Sequence, residues 1–267
     1  MKWGLTTLIA HRYSLEHCFR EAAELGYFFV ELNLVRGYYA HANAMQLADD
    51  PAGLEHIAGL LQKYGLQCSS VDCHGLSGNT ADEFQYNFDY VRAGMKAAAF
   101  LNAPILITSF PRSETPWEKL VSATRELCLE AADCGMRVAV EAEFGYPVGT
   151  PEEVDRLFDE VAHPALGINY DPSHFTRLGL KSADLLRHFG ERVIHVHAKE
   201  YLPEKPFPTR YEGDLTSPCG EMLSALAELQ FEGVVSAETL ADPEADPSEA
   251  MGQIMQGLKL WESRKKG

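Results

Sequence analysis

The chain has 267 residues and a mass of 29.6 kDa, which is long enough to bury a large core without disulfide cross-links. Apolar residues make up 46% and charged residues 23% of the chain, a globular composition that argues against wholesale disorder. The 39 acidic residues outnumber the 23 basic residues and give a formal charge of −16. A surface this acidic repels phosphate backbones, so a duplex nucleic acid is disfavoured as a partner.

Cysteine usage and hydropathy indicate the compartment. The six cysteines are scattered and include no C-x-x-C pair, which favours reduced thiols in the core over disulfides. The N-terminal segment 1–10 has only a brief apolar run and no small-residue cleavage site, so we interpret it as a first strand rather than a signal peptide. No apolar run reaches the ~18 residues of a membrane span. We therefore expect a cytoplasmic protein.

Short apolar runs alternate with longer amphipathic stretches along the whole chain. Each run has about four to seven residues and is rich in Val, Ile, Leu or Phe, as is typical of parallel strands covered on both faces. In chain order, the predicted strands are 4–9, 28–32, 67–71, 104–110, 137–140, 166–170, 193–196 and 233–237.

The stretches between the strands carry helix start and stop signals. Thr80, Thr115 and Thr150 are each followed three positions later by a glutamate, which is the pattern of a capping box at a helix N-terminus. Glycines shortly before the next strand mark predicted helix ends, because glycine supplies the left-handed residue of such turns. These glycines are Gly26, Gly65, Gly135 and Gly233.

Eight strand–helix units in a chain of this length predict an α/β fold with a parallel sheet. Their number and spacing match a closed (β/α)8 barrel, or TIM barrel. An open, doubly wound sheet is the competing fold, but it usually carries a glycine-rich phosphate loop, and the sequence contains neither common form of that loop. No linker or composition break divides the chain, so we expect one barrel domain over residues 1–267.

Two connections are longer than the others, and long loops after barrel strands often carry function. Residues 33–50 form the first and include Tyr38 and Tyr39, which we expect to cover the site and exclude water. Residues 200–220 form the second, which contains four prolines and Arg210.

Four successive predicted strands end in a possible metal ligand. Glu141, Asp171, His197 and Glu238 close or directly follow the last four strands. In a closed barrel these strand ends converge on one mouth. Three carboxylates gathered there would repel one another unless a cation lay among them. A set of three carboxylates and one imidazole suits Mn²⁺, Mg²⁺, Co²⁺ or Zn²⁺.

The segments around these residues carry a family resemblance. They read V-E-A-E at 140–143, N-Y-D-P-S-H at 169–174, H-V-H-A-K-E at 195–200 and S-A-E-T at 236–239. Together they resemble the xylose-isomerase-like TIM barrel superfamily, which includes sugar isomerases, ketose 3-epimerases, hydroxypyruvate isomerase, inosose dehydratase and apurinic/apyrimidinic endonucleases. The N-terminal half resembles this superfamily only in its rhythm of strands and helices.

The resemblance implies roles for individual residues. His174, three positions after the aspartate, would contact the substrate. Arg210, which is followed by a degenerate form of a G-E-G-D turn, loosely matches a family arginine that touches the substrate. The implied ligands of one divalent metal ion are Glu141, Asp171, His197 and Glu238.

Further residues near the strand ends could contact the substrate. Lys199 is expected to hydrogen-bond substrate oxygens. Glu31 is a candidate for the pocket, with an ion-paired structural role as the alternative, and His74 either lines the pocket or is satisfied within its loop. We expect His195 to face away from His197, behind the barrel wall or beside the ligands.

A divalent ion held by these ligands keeps open positions at which a hydroxyketone could chelate. Glu141 and Glu238 come from different strands and could flank the substrate carbon as base and acid. Proton removal would give an enediolate. Its reprotonation leads to epimerisation or isomerisation, and these two outcomes stay open. We therefore predict a metal-dependent isomerase or epimerase acting on a small sugar, sugar phosphate or hydroxyketone.

Three alternatives remain beside this prediction. A dehydratase could lose water from the same enediolate, and nothing in the sequence excludes it. A nuclease of the endonuclease branch is remote, because the fourth strand ends without the extra histidine that a three-zinc site needs. A non-catalytic binding barrel is also remote, because all four ligands are present. The expected partner is a small carbohydrate rather than nucleic acid or membrane, and homo-oligomerisation stays open.

Overall fold

Eight strands pair in parallel and in chain order to form a closed barrel, which confirms the predicted (β/α)8 fold. The computed structural model describes residues 1–37, 40–201, 211–239 and 246–265. The strands are β1 Lys2–Thr6, β2 Phe29–Asn33, β3 Gln67–Asp72, β4 Ile105–Thr108, β5 Arg137–Glu141, β6 Leu166–Tyr170, β7 Val193–Ala198 and β8 Val234–Ala237.

Helices follow the strands and cover the outside of the barrel. Short 3₁₀ helices at Thr7–Ala10 and Gly190–Arg192 accompany them. The α-helices are α1 Leu15–Leu25, α2 Ala44–Asp49, α3 Pro51–Tyr64, α4 Ala81–Phe100, α5 Trp117–Asp133, α6 Pro151–Val161, α7 Pro172–Thr176, α8 Ser182–Phe189, α9 Pro218–Glu228 and α10 Pro247–Lys265.

Two of the predicted strand boundaries were wrong in ways that affect the site. β1 ends at Thr6 instead of residue 9, because the Thr6 hydroxyl accepts a hydrogen bond from the Leu8 N–H at 3.4 Å and the chain turns there into a 3₁₀ helix. β2 extends to Asn33, so Glu31 lies inside the strand rather than at its end. Its side chain therefore lies further from the C-terminal end of the barrel than the side chain of a strand-end residue would.

The helix starts agree with the sequence patterns at two of three positions. Thr150 and Glu153 form a complete capping box at α6, and the Thr80 hydroxyl accepts from the Glu83 N–H at α4. The prediction for Thr115 was wrong. Its hydroxyl bonds to the backbone N–H and C=O of Gly78, at 2.8 Å each, and α5 begins after Pro116 without a side-chain cap. This threonine therefore ties two loops together instead of starting a helix.

The glycine stop signals hold after α1, α3 and α5, where Gly135 has a φ of +69°. Gly26 and Gly65 follow α1 and α3 in the left-handed conformation, with φ of +94° and +66°. The prediction for Gly233 was wrong. After α9, a left-handed residue is Gln230, with φ of +55°, and Gly233 lies next to β8.

All six cysteines are unpaired, and five of them are buried. Burial raises the pKa of the Cys18, Cys68 and Cys128 thiols to about 12. Cys134, directly after α5, is exposed. Separately, none of the helices in the described ranges has the length and apolar content to cross a bilayer.

The difference in exposure predicts how the thiols react. Because a thiol reacts as its thiolate, a thiol reagent at neutral pH should modify Cys134 rapidly and leave the five buried cysteines intact until the protein unfolds. Mass spectrometry should show one label on the native protein and six labels after denaturation without reductant. The variant Cys134→Ser should abolish the fast phase. A second rapidly labelled thiol, or fewer than six labels in total, would contradict this prediction.

Candidate active site

The four predicted ligands meet at one end of the barrel. Glu141 is the last residue of β5, Asp171 and Glu238 directly follow β6 and β8, and His197 lies near the end of β7. All four side chains are buried, and one ligand atom from each lies within 4.8 Å of the others. Metal–ligand bonds of about 2.0–2.4 Å place opposite ligands about 4–5 Å apart. The cluster thus has the dimensions of a divalent metal site.

Local structure aims the Asp171 carboxylate into this cluster. Asp171 caps the N-terminus of α7, where its Oδ1 accepts a hydrogen bond from the Ser173 N–H at 2.8 Å. Oδ2 is buried and lies 2.7 Å from Lys199 Nζ and 3.5 Å from His174 Nε2. This oxygen therefore faces positive charge within the cluster, a position that also suits a metal ion.

His197 presents one ring nitrogen to Glu31 and the other to the cluster of predicted ligands. Its Nε2 lies 3.0 Å from Glu31 Oε1, and because an ionised carboxylate only accepts, Nε2 donates that hydrogen bond. Nδ1 faces the cluster, 2.9 Å from Glu238 Oε2 and 3.5 Å from Glu141 Oε2. Burial alone would lower the pKa of His197, but the charges of the three glutamates raise it well above its usual value. Nδ1 faces the cluster, so a metal ion bound there would take the place of the proton on this nitrogen.

Glu31 lies beneath the cluster and pairs with two imidazoles. His195 Nε2 is 2.7 Å from Glu31 Oε2, and the Ser70 hydroxyl donates to the same oxygen at 2.9 Å. Burial would raise the pKa of Glu31, but His197 and His195 hold it well below its usual range. Glu31 is fully buried and is not among the described residues that line the cavity. Its position favours the ion-paired structural role over substrate contact.

The expected orientation of His195 was wrong. Side chains alternate between the two faces of a strand, so residues two positions apart point the same way. His195 and His197 both project into the barrel and both contact Glu31. His195 is fully buried and also lies 3.0 Å from the Ser236 hydroxyl.

Lys199 lies among the carboxylates. Its Nζ is 2.7 Å from Asp171 Oδ2 and 3.0 Å from Glu238 Oε2. Burial would lower the pKa of Lys199, but Asp171, Glu238 and Glu141 raise it well above its usual value. The ammonium offsets part of the negative charge of the cluster and lies at the border of the cavity.

The two candidate histidines contact neighbouring acids. His174 Nδ1 accepts a hydrogen bond from the Phe144 N–H at 3.1 Å, so its hydrogen is on Nε2, which lies 3.3 Å from Glu141 Oε1. His74 Nε2 lies 2.8 Å from Asp72 Oδ1, and the other ring nitrogen of His74 faces Glu143 at 3.3 Å.

These side chains border a cavity of about 560 Å³, a volume in the range of small-molecule sites. Arg210, Tyr38 and Tyr39 lie outside the described residues, so their predicted roles stay predictions. The predicted site residues that line the cavity are His74, Glu141, His174, Lys199 and Glu238.

Sequence reasoning missed the polar layer below the ligands. Asn169 Nδ2 donates to Glu141 Oε2 at 2.7 Å and lies 3.2 Å from both His197 ring nitrogens. A usable signal was present, because the residue two positions before an inward-facing strand end also faces inward. Asn169 and Ser236 stand two positions before Asp171 and Glu238.

The fold and the site agree with a sequence comparison. The profile of the xylose isomerase-like TIM barrel family matches residues 19–263. The chain belongs to this family. The resemblance noted from the strand-end segments is thereby confirmed, and the match also includes most of the N-terminal half.

Relatives within the family have different activities. The chain is 26% identical over 261 residues to a fructoselysine 3-epimerase of Escherichia coli O157:H7, covering 89% of this chain and 90% of that protein. It is 26% identical over 166 residues to an inosose dehydratase of Clostridium botulinum (strain Alaska E43 / Type E3), covering 56% of each. The chain thus spans about half the length of that dehydratase.

A solved structure gives the same fold. The probable 3-DHS dehydratase involved in petrobactin synthesis from Bacillus anthracis superposes with a TM-score of 0.77 and 17% identity, covering 97% of this chain and 99% of that one. Epimerases and dehydratases therefore both occur among the relatives, and the shared architecture does not separate them.

The buried position of Glu31 predicts a large effect on stability. Glu31→Gln keeps the size of the side chain but removes the charge that faces His195 and His197. Breaking a buried ion pair costs about 3 kcal/mol or more, and urea unfolding should show a loss of this order. Glu24→Gln, at an exposed position of α1, is the control and should change the unfolding free energy by about 0.5 kcal/mol at most. Equal stabilities of the two variants would contradict the structural role of Glu31.

Proposed function

We propose that the protein is a divalent-metal-dependent isomerase or epimerase that acts on a small carbohydrate or hydroxyketone in the cytoplasm through an enediolate. The supporting observation is the pair Glu141 and Glu238, which come from different strands and line one cavity beside the ligand cluster. The full-length similarity to a 3-epimerase supports the same class of reaction.

The donor set fits a Mn²⁺, Mg²⁺, Co²⁺ or Zn²⁺ ion. When bound, such an ion polarises a carbonyl and stabilises negative charge on its oxygen. The residues that would hold it are Glu141, Asp171, His197 and Glu238.

Glu238 is the better placed of the two carboxylates to remove a proton. Its Oε2 is held by Lys199 Nζ at 3.0 Å and faces His197 Nδ1 at 2.9 Å. Within the described ranges no donor contacts Oε1, so this oxygen is available to the substrate. A general base needs such a free, oriented lone pair within reach of the proton that it takes.

Glu141 is more firmly held than Glu238. Its Oε2 accepts from Asn169, and its Oε1 lies 3.3 Å from His174 Nε2. We assign Glu141 to the opposite side of the substrate carbon, where its carboxylic acid form gives a second proton to the other face in an epimerisation while the first proton stays on Glu238. Return of the proton to the adjacent carbon by Glu238 gives an isomerisation. His174 and Lys199 hold the substrate oxygens with their N–H groups.

A dehydratase is the second candidate. It shares the proton removal by Glu238, after which a hydroxyl leaves the neighbouring carbon. His174 supports this route, because its Nε2–H is directed toward the cluster and could donate to the departing oxygen. The inosose dehydratase relative supports it as well, over 56% of the chain.

Deuterium exchange tests the proposal without a known product. Metal-loaded protein is incubated in D₂O with a panel of ketoses and hydroxyketones, and NMR follows the α-protons. Deuterium uptake with retained oxygen content supports the isomerase or epimerase. Release of water supports the dehydratase. The absence of both deuterium uptake and water release with every compound of the panel would contradict the proposed chemistry.

The first variant tests the base. Glu238→Gln keeps the shape of the side chain but cannot accept a proton, so the exchange rate should fall by about 10²–10⁴-fold, while isothermal titration still detects metal binding. Glu143→Gln removes a charge at the same cavity but outside the ligand cluster and serves as the matched control. Undiminished exchange in Glu238→Gln would move the base to another residue, with Glu141 the next to replace.

The second variant tests the metal. Asp171→Asn replaces a charged ligand by a neutral one, so metal affinity should fall before the chemistry does. Titration calorimetry should show weaker binding, and excess metal should partly restore the exchange rate. Unchanged affinity in this variant would remove Asp171 from the ligand set.

A further inference from the structure

Three arginines line the cavity away from the ligand cluster. Arg36 follows β2, Arg112 follows β4 and Arg177 follows α7. Loops from different parts of the barrel thus bring three guanidinium groups to the cavity that contains Glu141 and Glu238. The three arginines are exposed, whereas Glu141 and Glu238 are buried.

Neutral groups orient each of these arginines. Arg36 donates from Nη2 to Asn87 Oδ1 at 2.8 Å, and its guanidinium lies 4.9 Å from the centre of the Tyr86 ring. Asn87 is itself fixed, because its Nδ2 donates to the Ser77 carbonyl at 2.6 Å. The guanidinium keeps its full charge and most of its donors.

Arg112 and Arg177 dock on adjacent residues of the loop after β5. Arg112 Nε donates to the carbonyl of Gly145. The Arg177 guanidinium lies 5.4 Å from the Phe144 ring and 5.1 Å from the Tyr201 ring. Both side chains are therefore positioned by one short loop segment that also borders the cavity.

These three arginines differ from several on the outer helices. Arg92, Arg156 and Arg192 each pair with a carboxylate at 2.6–2.7 Å. Among the described residues, no carboxylate forms an ion pair with Arg36, Arg112 or Arg177. Glu83, which also borders the cavity, instead accepts from the Asn79 N–H at 2.8 Å. The chain has a formal charge of −16. Three guanidinium groups at one cavity that form no ion pair with the described carboxylates therefore favour the binding of an anion.

We infer that the substrate carries a terminal oxyanion, a carboxylate or a phosphate, which binds to Arg36, Arg112 and Arg177 while the reacting carbons lie at Glu141 and Glu238. Guanidinium groups bind both oxyanions through paired, charge-assisted N–H···O bonds. The inference rests on the proposed function and narrows it to acidic or phosphorylated hydroxyketones. The oxyanion would also fix which end of the substrate enters first.

Binding of inert polyols tests this inference. D-glucitol, D-glucitol 6-phosphate and D-gluconate share a polyol chain and differ at one end in charge. Calorimetry on the metal-loaded protein should show that at least one charged polyol binds about tenfold or more tightly than glucitol. The tighter of the two charged compounds identifies phosphate or carboxylate as the recognised group.

The source of this excess affinity is tested with Arg112→Met and Arg177→Met, singly and combined. Both positions are exposed, so folding should be preserved. The excess should fall in each variant and fall further in the double variant, which keeps only Arg36 of the three, and Arg177→Lys should retain part of it. Arg156→Met is the control, because Arg156 likewise lies on an aromatic ring, 4.2 Å from the centre of Trp117, but on the outer helices.

Two outcomes overturn the inference: charged polyols that bind no more tightly than glucitol, and an excess that is undiminished in the double variant. The second outcome includes a carboxylate that binds the metal instead of the arginines. Glucitol has no carbonyl and cannot enolise, so the assay does not depend on turnover. A failed deuterium exchange therefore counts against the proposed function, and equal affinities count against the anion site.

Discussion

A carboxylate without solvent contact, Glu31, fixes the orientation of the imidazoles on β7. It crosses the barrel from β2, pairs with His195 at 2.7 Å and with His197 at 3.0 Å, and so decides which nitrogen of His197 faces the cluster. A ring held by a carboxylate on one side has a defined tautomer and a more basic free nitrogen. The other three candidate ligands, Glu141, Asp171 and Glu238, therefore share a cluster with a defined nitrogen of His197.

Charge balance explains why such an acidic cluster can be buried. Burial raises the pKa of Asp171 and of Glu141, but nearby positive charge and hydrogen bonds bring each pKa below its usual value. Lys199 and His197 supply that charge to Asp171, Glu238 and Glu141. The free-energy cost of burying these charged side chains is part of the free energy of folding. A site prepared in this way needs little rearrangement to receive a cation or a polar substrate.

Sequence patterns predicted those parts of the site that depend on local order along one strand. The meeting of Glu141, Asp171, His197 and Glu238 was predictable because the barrel gathers strand ends, whatever their separation in the chain. The contact of Glu31 with His197 joins residues 166 positions apart, and no local pattern encodes such a pairing. The error at Thr115 has the same origin, since its hydroxyl prefers a distant loop to its own helix. Tertiary contacts override local propensity where a polar group finds a better partner.

Epimerisation and dehydration would share their first step at this site, so the groups that act after proton loss decide between them. In the proposed reaction both begin with proton loss to Glu238. A carboxylic acid on the far side gives a proton to the carbon, whereas an N–H donor next to a hydroxyl helps that hydroxyl to leave. Glu141 and His174 offer both groups within 3.3 Å of each other. The orientation of the substrate therefore selects the product, and groups far from the reacting carbons, such as the three arginines, control that orientation by binding the other end.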